Sequence, residues 1–154
     1  MGSGWYHGSF SIEHVARWIS TGEVAVAHKR TNPDSLSFPQ NYHHSVEADA
    51  GCKYLFVAGQ TASPKEGPIP QGIEAQSELV FSNMQKVLAE SGYGFEDVVF
   101  MKSFLINRED REGYQAVRSR VWGDTKPAST FLLVSGLASP EYLLEVECIA
   151  AKKV

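Results

Sequence analysis

Short apolar runs, and apolar residues that recur at helical spacing, predict an ordered series of strands and helices along the chain. Residues 54–59 form a short apolar run that ends at a glycine, and residues 97–106 form a longer run rich in β-branched and aromatic side chains, so both predict strands. Between them, apolar residues recur at helical spacing over 74–91, with Glu74 in the first turn and Gly92 just beyond the end. The pattern therefore predicts a strand, a helix and a second strand.

The rest of the chain predicts a second helix followed by two more strands. Asn107 is expected to cap this helix, which has an acidic first turn, a basic last turn and Gly123 at its end. Strands are then predicted over 129–134 and 142–151. Earlier strand candidates are shorter and lie at 24–29 and 43–49.

This order of elements predicts an α+β or α/β domain built on one sheet. The runs 54–59, 98–106 and 130–134 are apolar on both faces, which implies that both faces of the sheet are covered. Two amphipathic helices can cover only one face, so a second copy of the chain is expected to cover the other.

The first 23 residues differ from the main body. A Gly- and Ser-rich start precedes a short amphipathic helix, with Ser11 placed to cap it and Gly22 to stop it. We therefore divide the chain into an N-terminal extension, residues 1–23, and one compact domain, residues 24–154.

Composition and charge exclude several classes of protein. The net charge of −4 and the pI near 5.7 argue against a surface that tracks nucleic-acid phosphates. The sequence has no apolar run of the ~20 residues that a membrane span needs and no secretory signal pattern, so a soluble cytoplasmic protein is expected. No Gly-rich phosphate loop is present, and no cofactor is expected.

The sequence also predicts no metal site. The two cysteines, Cys52 and Cys148, have no CxxC spacing, and Cys148 is predicted to be a small core residue. His43 and His44 are adjacent, so in a strand they point to opposite faces and cannot bind one metal together.

The last strand carries two carboxylates on one face. Side chains alternate along a strand, so Glu145 and Glu147 share a face opposite apolar residues such as Leu144 and Val146. On this pattern alone, either that face is solvated or its carboxylates line a site.

Seven segments in order resemble the Rid (RidA/YjgF) family of reactive-intermediate deaminases. They are NYHHSVEA, YLFVAGQ, GPIP, the helix carrying Gln76 to Asn83, DVVFMKSFLI, KPAS and LLEVECIA. The resemblance implies a chorismate-mutase-like α+β fold with a mixed sheet packed on two helices. It also implies a homotrimer whose sheets form a central barrel and whose small-molecule ligands bind in clefts between subunits.

The resemblance assigns site residues and shows two departures from the family pattern. Glu145 matches the glutamate that positions the attacking water, and Tyr42 matches a site tyrosine. The family's Pro-x-Arg-Ser is here Pro127 to Thr130, so Ser129 stands where the family has the arginine that grips the substrate carboxylate. Phe131 stands where the family often has cysteine. Gln60, Asn83 and Glu147 are interpreted as structural.

The favoured hypothesis is a deaminase-type hydrolase of a small imine, enamine or related unsaturated nitrogen compound. Its substrate would not depend on pairing with an arginine at position 129, Phe131 would form an apolar wall, and Ser129 and Tyr42 would orient the substrate while Glu145 activates water. The alternative is a trimeric small-molecule-binding protein without catalysis. Ribonuclease activity is the weakest reading, because the charge is acidic and no basic stripe is present.

Overall fold

The computed structural model describes residues 28–153. The predicted N-terminal helix and most of the predicted strand over 24–29 lie outside the described residues. The elements are β1 (Lys29–Thr31), β2 (Ser45–Glu47), β3 (Cys52–Thr61), α1 (Ile73–Glu90), β4 (Val98–Leu105), α2 (Arg111–Trp122), β5 (Ala128–Leu133) and β6 (Leu144–Lys153). A short 3-10 turn, Phe95–Asp97, precedes β4.

Four strands form one mixed sheet in the order β3-β6-β4-β5. The β3-β6 and β4-β6 pairs are antiparallel, whereas β4 and β5 are parallel because α2 provides the crossover between them. β1 and β2 form a separate antiparallel ladder, and His43 next to it bridges to Ala128 at the start of β5. The predicted α+β fold, a mixed sheet packed on two helices, is confirmed.

One face of the sheet packs against both helices and forms the core. Alternate residues of β4 and β6, including Met101, Leu105, Leu144 and Val146, are buried there. The helices contribute the side chains Val80, Phe81, Met84, Leu88, Tyr114 and Val117. The helical spacing predicted from the sequence therefore does mark the buried side of α1 and α2.

The opposite face of the sheet, which we call the open face, has no helix on it within residues 28–153. Phe56 is 74% exposed and Tyr54 is 53% exposed on β3, and Leu132 is 44% exposed on β5. This confirms the prediction that the helices cover only one of two apolar faces.

The predicted start of the second helix is wrong. α2 begins at Arg111, with Asp110 at the capping position, and the Asn107 side chain donates instead to Asp110 Oδ2 at 3.0 Å. The Arg111 amide bonds to the Arg108 carbonyl at 3.2 Å, so residues 108–111 form a separate turn before the helix. Arg118, one of the two basic residues in the predicted last turn, is only 6% exposed.

Several strand boundaries also differ from the prediction. β3 begins two residues earlier than predicted and ends two residues later, because it pairs with β6 along its length. β1 continues two residues beyond the predicted strand over 24–29, to Thr31, since Arg30 lies directly opposite Val46. No helix in residues 28–153 is both long enough and apolar enough to cross a bilayer.

Candidate functional site

Glu145 lies on the open face near the start of β6. It stands directly opposite Thr61 of β3 and Phe104 of β4, between the buried residues Leu144 and Val146. Its side chain is half-buried. The alternation read from the sequence is thus confirmed, and it keeps the carboxylate out of the core.

A β-bulge in β3 makes room for this carboxylate. Between Val57 and Gln60 the register shifts, so that Ala58 and Gly59 together stand opposite Glu147. A Cβ built on Gly59 would lie 2.7 Å from the carboxyl carbon of Glu145, closer than atoms can pack. The Glu145 carboxylate therefore rests against the bulge backbone, in space that exists because residue 59 has no side chain.

The two carboxylates of β6 have different surroundings. Glu147 Oε1 accepts from Lys102 Nζ at 2.8 Å, an ion pair across the neighbouring strand that matches its structural interpretation. Glu145 forms no ion pair with any residue in the described part of the chain. Of these two carboxylates, Glu145 is therefore the one that no cation neutralises within residues 28–153.

Ser129 and Phe131 lie on the opposite face of the sheet from Glu145. They stand directly opposite Met101 and Ser103, which are buried beneath the helices. The Phe131 ring lies 5.8 Å from the ring of Tyr114, centroid to centroid. A single chain therefore does not bring these two residues into one cleft with Glu145.

Tyr42 is brought next to the start of β5. The amide of His43 donates to the Pro127 carbonyl at 3.3 Å, which places the Tyr42 backbone beside the segment that leads to Ser129. The Tyr42 ring packs edge-on against His44, with centroids 5.5 Å apart. Tyr42 and Ser129 thus belong to the same end of the molecule.

His43 is held as a hydrogen-bond acceptor. The His44 amide donates to Asn32 Oδ1 at 2.9 Å, which turns the Asn32 amide nitrogen toward His43 Nδ1 at 3.0 Å. Burial, and then the charges of Arg30 and Lys126, lower the pKa of His43. Residues 28–153 contain no cluster of three potential metal ligands.

The Cys148 thiol is not a candidate nucleophile. It is 3% exposed, and burial together with the neighbouring Glu147 raises its pKa to about 12. A thiol in that state carries almost no thiolate at neutral pH. The prediction that Cys148 is a core residue is confirmed.

Amide side chains hold the start of β6, which carries Glu145, and the end of the neighbouring strand β3. Gln76 Nε2 donates to the Glu141 carbonyl, and its Oε1 accepts from the Leu143 amide, both at 2.8 Å. Asn83 donates to the Ser63 carbonyl at 3.1 Å, and the Gln60 amide donates to the Ala58 carbonyl at 3.0 Å within the bulge. Gln60 and Asn83 are structural hydrogen-bonding residues, as predicted.

A concave surface beside Phe131 was not predicted from the sequence. It is an open depression of about 490 Å³ lined by Arg108, Arg111, Phe131, Leu132 and Leu133. The guanidinium carbon of Arg111 lies 5.9 Å from the centre of the Phe131 ring. The one signal in the sequence was a pair of arginines at the N-terminal end of a helix, where the helix dipole disfavours positive charge.

Comparisons with known proteins identify the family. Residues 34–152 match the family described as Endoribonuclease L-PSP. A RutC family protein of Pyrococcus horikoshii is 34% identical over 114 residues, covering 73% of this chain and 87% of that protein. The Rid family protein YyfB of Yersinia pestis has a similar structure, with a TM-score of 0.70 at 28% identity over 81% of this chain and 98% of that one. Yeast Mmf1 has a TM-score of 0.61 at 25% identity, over 84% of this chain and 97% of that one.

The matched region contains both helices and, up to residue 152, every strand of the main sheet, and thus the segments that carry Glu145, Gly59, Ser129 and Phe131. The chain therefore belongs to the Endoribonuclease L-PSP family, which includes the Rid, YjgF and RutC proteins.

Proposed function

We propose that this protein is a cytoplasmic, homotrimeric hydrolase that releases ammonia from a small imine or enamine. The observation that carries the proposal is Glu145, a carboxylate without an ion-pair partner in the described residues, placed against the bulge at Gly59. A half-buried carboxylate of this kind can accept a proton from water.

The proposed reaction is hydrolysis of a C=N bond. Glu145 takes a proton from water as the water oxygen bonds to the imine carbon, and it returns that proton to the nitrogen. The resulting amino alcohol collapses to a carbonyl compound, and ammonia departs. An enamine first takes up a proton on carbon and gives up one from nitrogen, which converts it into the imine. No redox step is needed, and atoms balance with one water consumed.

The proposed cleft lies between two subunits. Within one chain, Ser129 and Phe131 lie on the helix-facing side of β5 and Glu145 on the open face, so one sheet separates them. A second chain packed on the open face can bring its Glu145 to the β5 edge of the first. The exposed apolar side chains of the open face, Phe56 among them, supply the contact surface.

The substrate in this proposal is not held by a carboxylate next to its reacting carbon. Ser129 offers one hydroxyl where an arginine would offer a guanidinium that binds a carboxylate with two hydrogen bonds, so this bidentate contact is absent. Phe131 supplies an apolar wall, and Tyr42, whose segment adjoins the start of β5, orients the ligand from that end.

Ammonia release from enzymatically generated imines and enamines tests the activity. We expect the native protein to act on neutral or bulky substrates, and Glu145→Gln to lose about 10²-fold or more of the rate. Ser129→Arg should gain activity on 2-imino acids. Native turnover that is unchanged in Glu145→Gln would refute the role of this carboxylate.

Mixed oligomers test the shared cleft. Glu145→Gln and Ser129→Trp, which blocks the cleft at β5, are each expected to be inactive. In mixed trimers, a cleft with native Glu145 from the Ser129→Trp subunit and native Ser129 from the Glu145→Gln subunit should regain activity. Recovery of no activity, in trimers shown by mass spectrometry to contain both variants, would contradict a cleft built from two chains.

Serine at position 129 also favours a second candidate, a trimeric binding protein without catalysis. A ligand that raises the melting temperature of a protein inactive on every substrate would establish it. The family description names an endoribonuclease, but the net charge of −4 opposes binding to RNA phosphates. RNA cleavage that persists in salt and disappears in a Glu145 variant would reverse that ranking.

A further inference from the structure

We infer that Arg111, assisted by Arg108, is a specificity-determining residue that binds an anionic group at the far end of the substrate. The inference rests on the proposed function in one respect, that Phe131 lines the substrate cleft. It names a substrate class: a compound with an apolar or aromatic body, a C=N group at one end and a carboxylate several bonds away.

The first argument is the geometry of the concave surface. Arg111 lies over the Phe131 ring at 5.9 Å, and Arg108 lines the same surface of about 490 Å³. The Arg111 amide bonds to the Arg108 carbonyl, so the turn holds the two residues together. Leu132 and Leu133 complete the lining. Two cations beside an aromatic ring and two leucines match a molecule that is apolar along its length and anionic at one end.

The second argument is that the fold does not use these charges. Acidic residues flank both arginines in sequence, at 109, 110 and 112, yet no ion pair within residues 28–153 includes Arg108 or Arg111. Asp110 is engaged by Asn107, and none of the three acidic residues lines the concave surface. The guanidinium donors thus remain available to a ligand.

The third argument is that helix stability does not explain the arginines. Arg111 is the first residue of α2, where the helix dipole favours anions and disfavours cations. Arg120, by contrast, lies in the last turn, where a cation is favoured, and it bonds to Glu78 at 2.7 Å. Arg111 and Arg120, at opposite ends of the same helix, therefore have different local settings.

The position of the cation fixes the substrate class. Phe131 lies two residues beyond Ser129 along β5, a separation of roughly 6.6 Å. A guanidinium above Phe131 is therefore displaced from the place where an arginine at 129 would grip a carboxylate next to the reacting carbon. The anionic group that it binds belongs farther along the molecule.

Binding of a matched pair of probes tests the inference without requiring turnover. We would measure by ligand-observed NMR titration the affinities of 3-phenylpropionate and its neutral amide for the native trimer. We expect the native protein to prefer the carboxylate by about tenfold, the value of one charge-assisted hydrogen bond. Arg111→Gln should abolish that preference, and Arg111→Lys should reduce it because an ammonium lacks the planar fork.

Arg120→Gln is the matched control, since it removes the same charge from the same helix outside the concave surface. It should retain the carboxylate preference. Equal affinity for the two probes, an unchanged preference in Arg111→Gln or an equal loss in Arg120→Gln would each overturn the inference. Thermal melts establish that every variant is folded.

A turnover arm separates this inference from the proposed function. Imines with and without a distal carboxylate are compared in the native protein, Glu145→Gln and Arg111→Gln. Arg111→Gln should raise KM for the charged substrate only, leaving the neutral one unchanged. Turnover that depends on Glu145 but not on substrate charge overturns the inference about Arg111 and leaves the proposed function standing. Absence of all turnover overturns the proposed function, while the probe titration still decides on Arg111.

Discussion

Gly59 controls the position of the proposed catalytic carboxylate, and Gly59→Ala is the substitution that shows it. Its φ does not lie in the left-handed region, so alanine is compatible with the backbone. The added methyl group, however, would lie 2.7 Å from the Glu145 carboxyl carbon and in steric overlap with Oε1. The clash is with the end of a flexible side chain, which can move away.

The displacement can be worked from these distances. Ordinary van der Waals contact begins at 3.4 Å, so the carboxyl carbon must retreat by at least about 0.7 Å. A displacement approaching 1 Å costs about 10²-fold in rate when a group must be aligned with the reacting atoms. We expect the loss in kcat, while the free energy of unfolding changes by less than about 1 kcal/mol because no buried contact is lost.

Ammonia release and urea unfolding are measured together on Gly59→Ala. The matched control is Gly136→Ala, since Gly136 has open space where its Cβ would be and no positive φ. The control should keep both activity and stability. Full activity in Gly59→Ala, or an equal loss in the control, would refute the claim that the bulge positions Glu145.

Three further predictions concern a thiol, a hydroxyl pair and a histidine. Because burial raises the pKa of Cys148 to about 12, a thiol reagent should modify Cys52 but not Cys148 in the native protein, and both in denaturant. Equal modification rates of the two thiols in the native protein would contradict this prediction. Tyr114→Phe leaves the buried Ser103 hydroxyl without its partner and should cost about 1–3 kcal/mol in urea unfolding, most of which the double variant with Ser103→Ala should recover. The pKa of His43 is lowered from 6.5 by burial and nearby cations, so as the pH drops through 6.5 the unfolded chain takes up this proton before the native protein does, and stability falls. Chemical denaturation should show a smaller loss of stability on acidification in His43→Gln. An identical loss in the variant and the native protein would refute the assignment.

The fold could be predicted from the sequence because its periodic segments are long. The stretch over 74–91 has a clear helical period and 97–106 is a long β-branched and aromatic run, and both agree with the structure to within a residue or so. The start of α2 was misjudged because Asn107 is a good capping residue by type. Its side chain bonds within a preceding turn instead, a local competition that residue type does not reveal.

The candidate site could be predicted only in part. The alternation along β6 placed Glu145 and Glu147 on one face, and the structure distinguishes them through Lys102, a partner 45 positions away in sequence. The bulge at Gly59 depends on a register shift between β3 and β6, which no local pattern encodes. The concave surface at Arg111 likewise depends on how α2 packs beside β5.

The most direct test of the account is the rate of ammonia release, on one substrate that the native protein turns over, in Glu145→Gln and Glu147→Gln. The two variants remove the same charge two residues apart on one strand face. The account predicts a loss of about 10²-fold or more in Glu145→Gln and near-native activity in Glu147→Gln. Equal effects in the two variants would contradict the assignment of Glu145 as the residue that activates water.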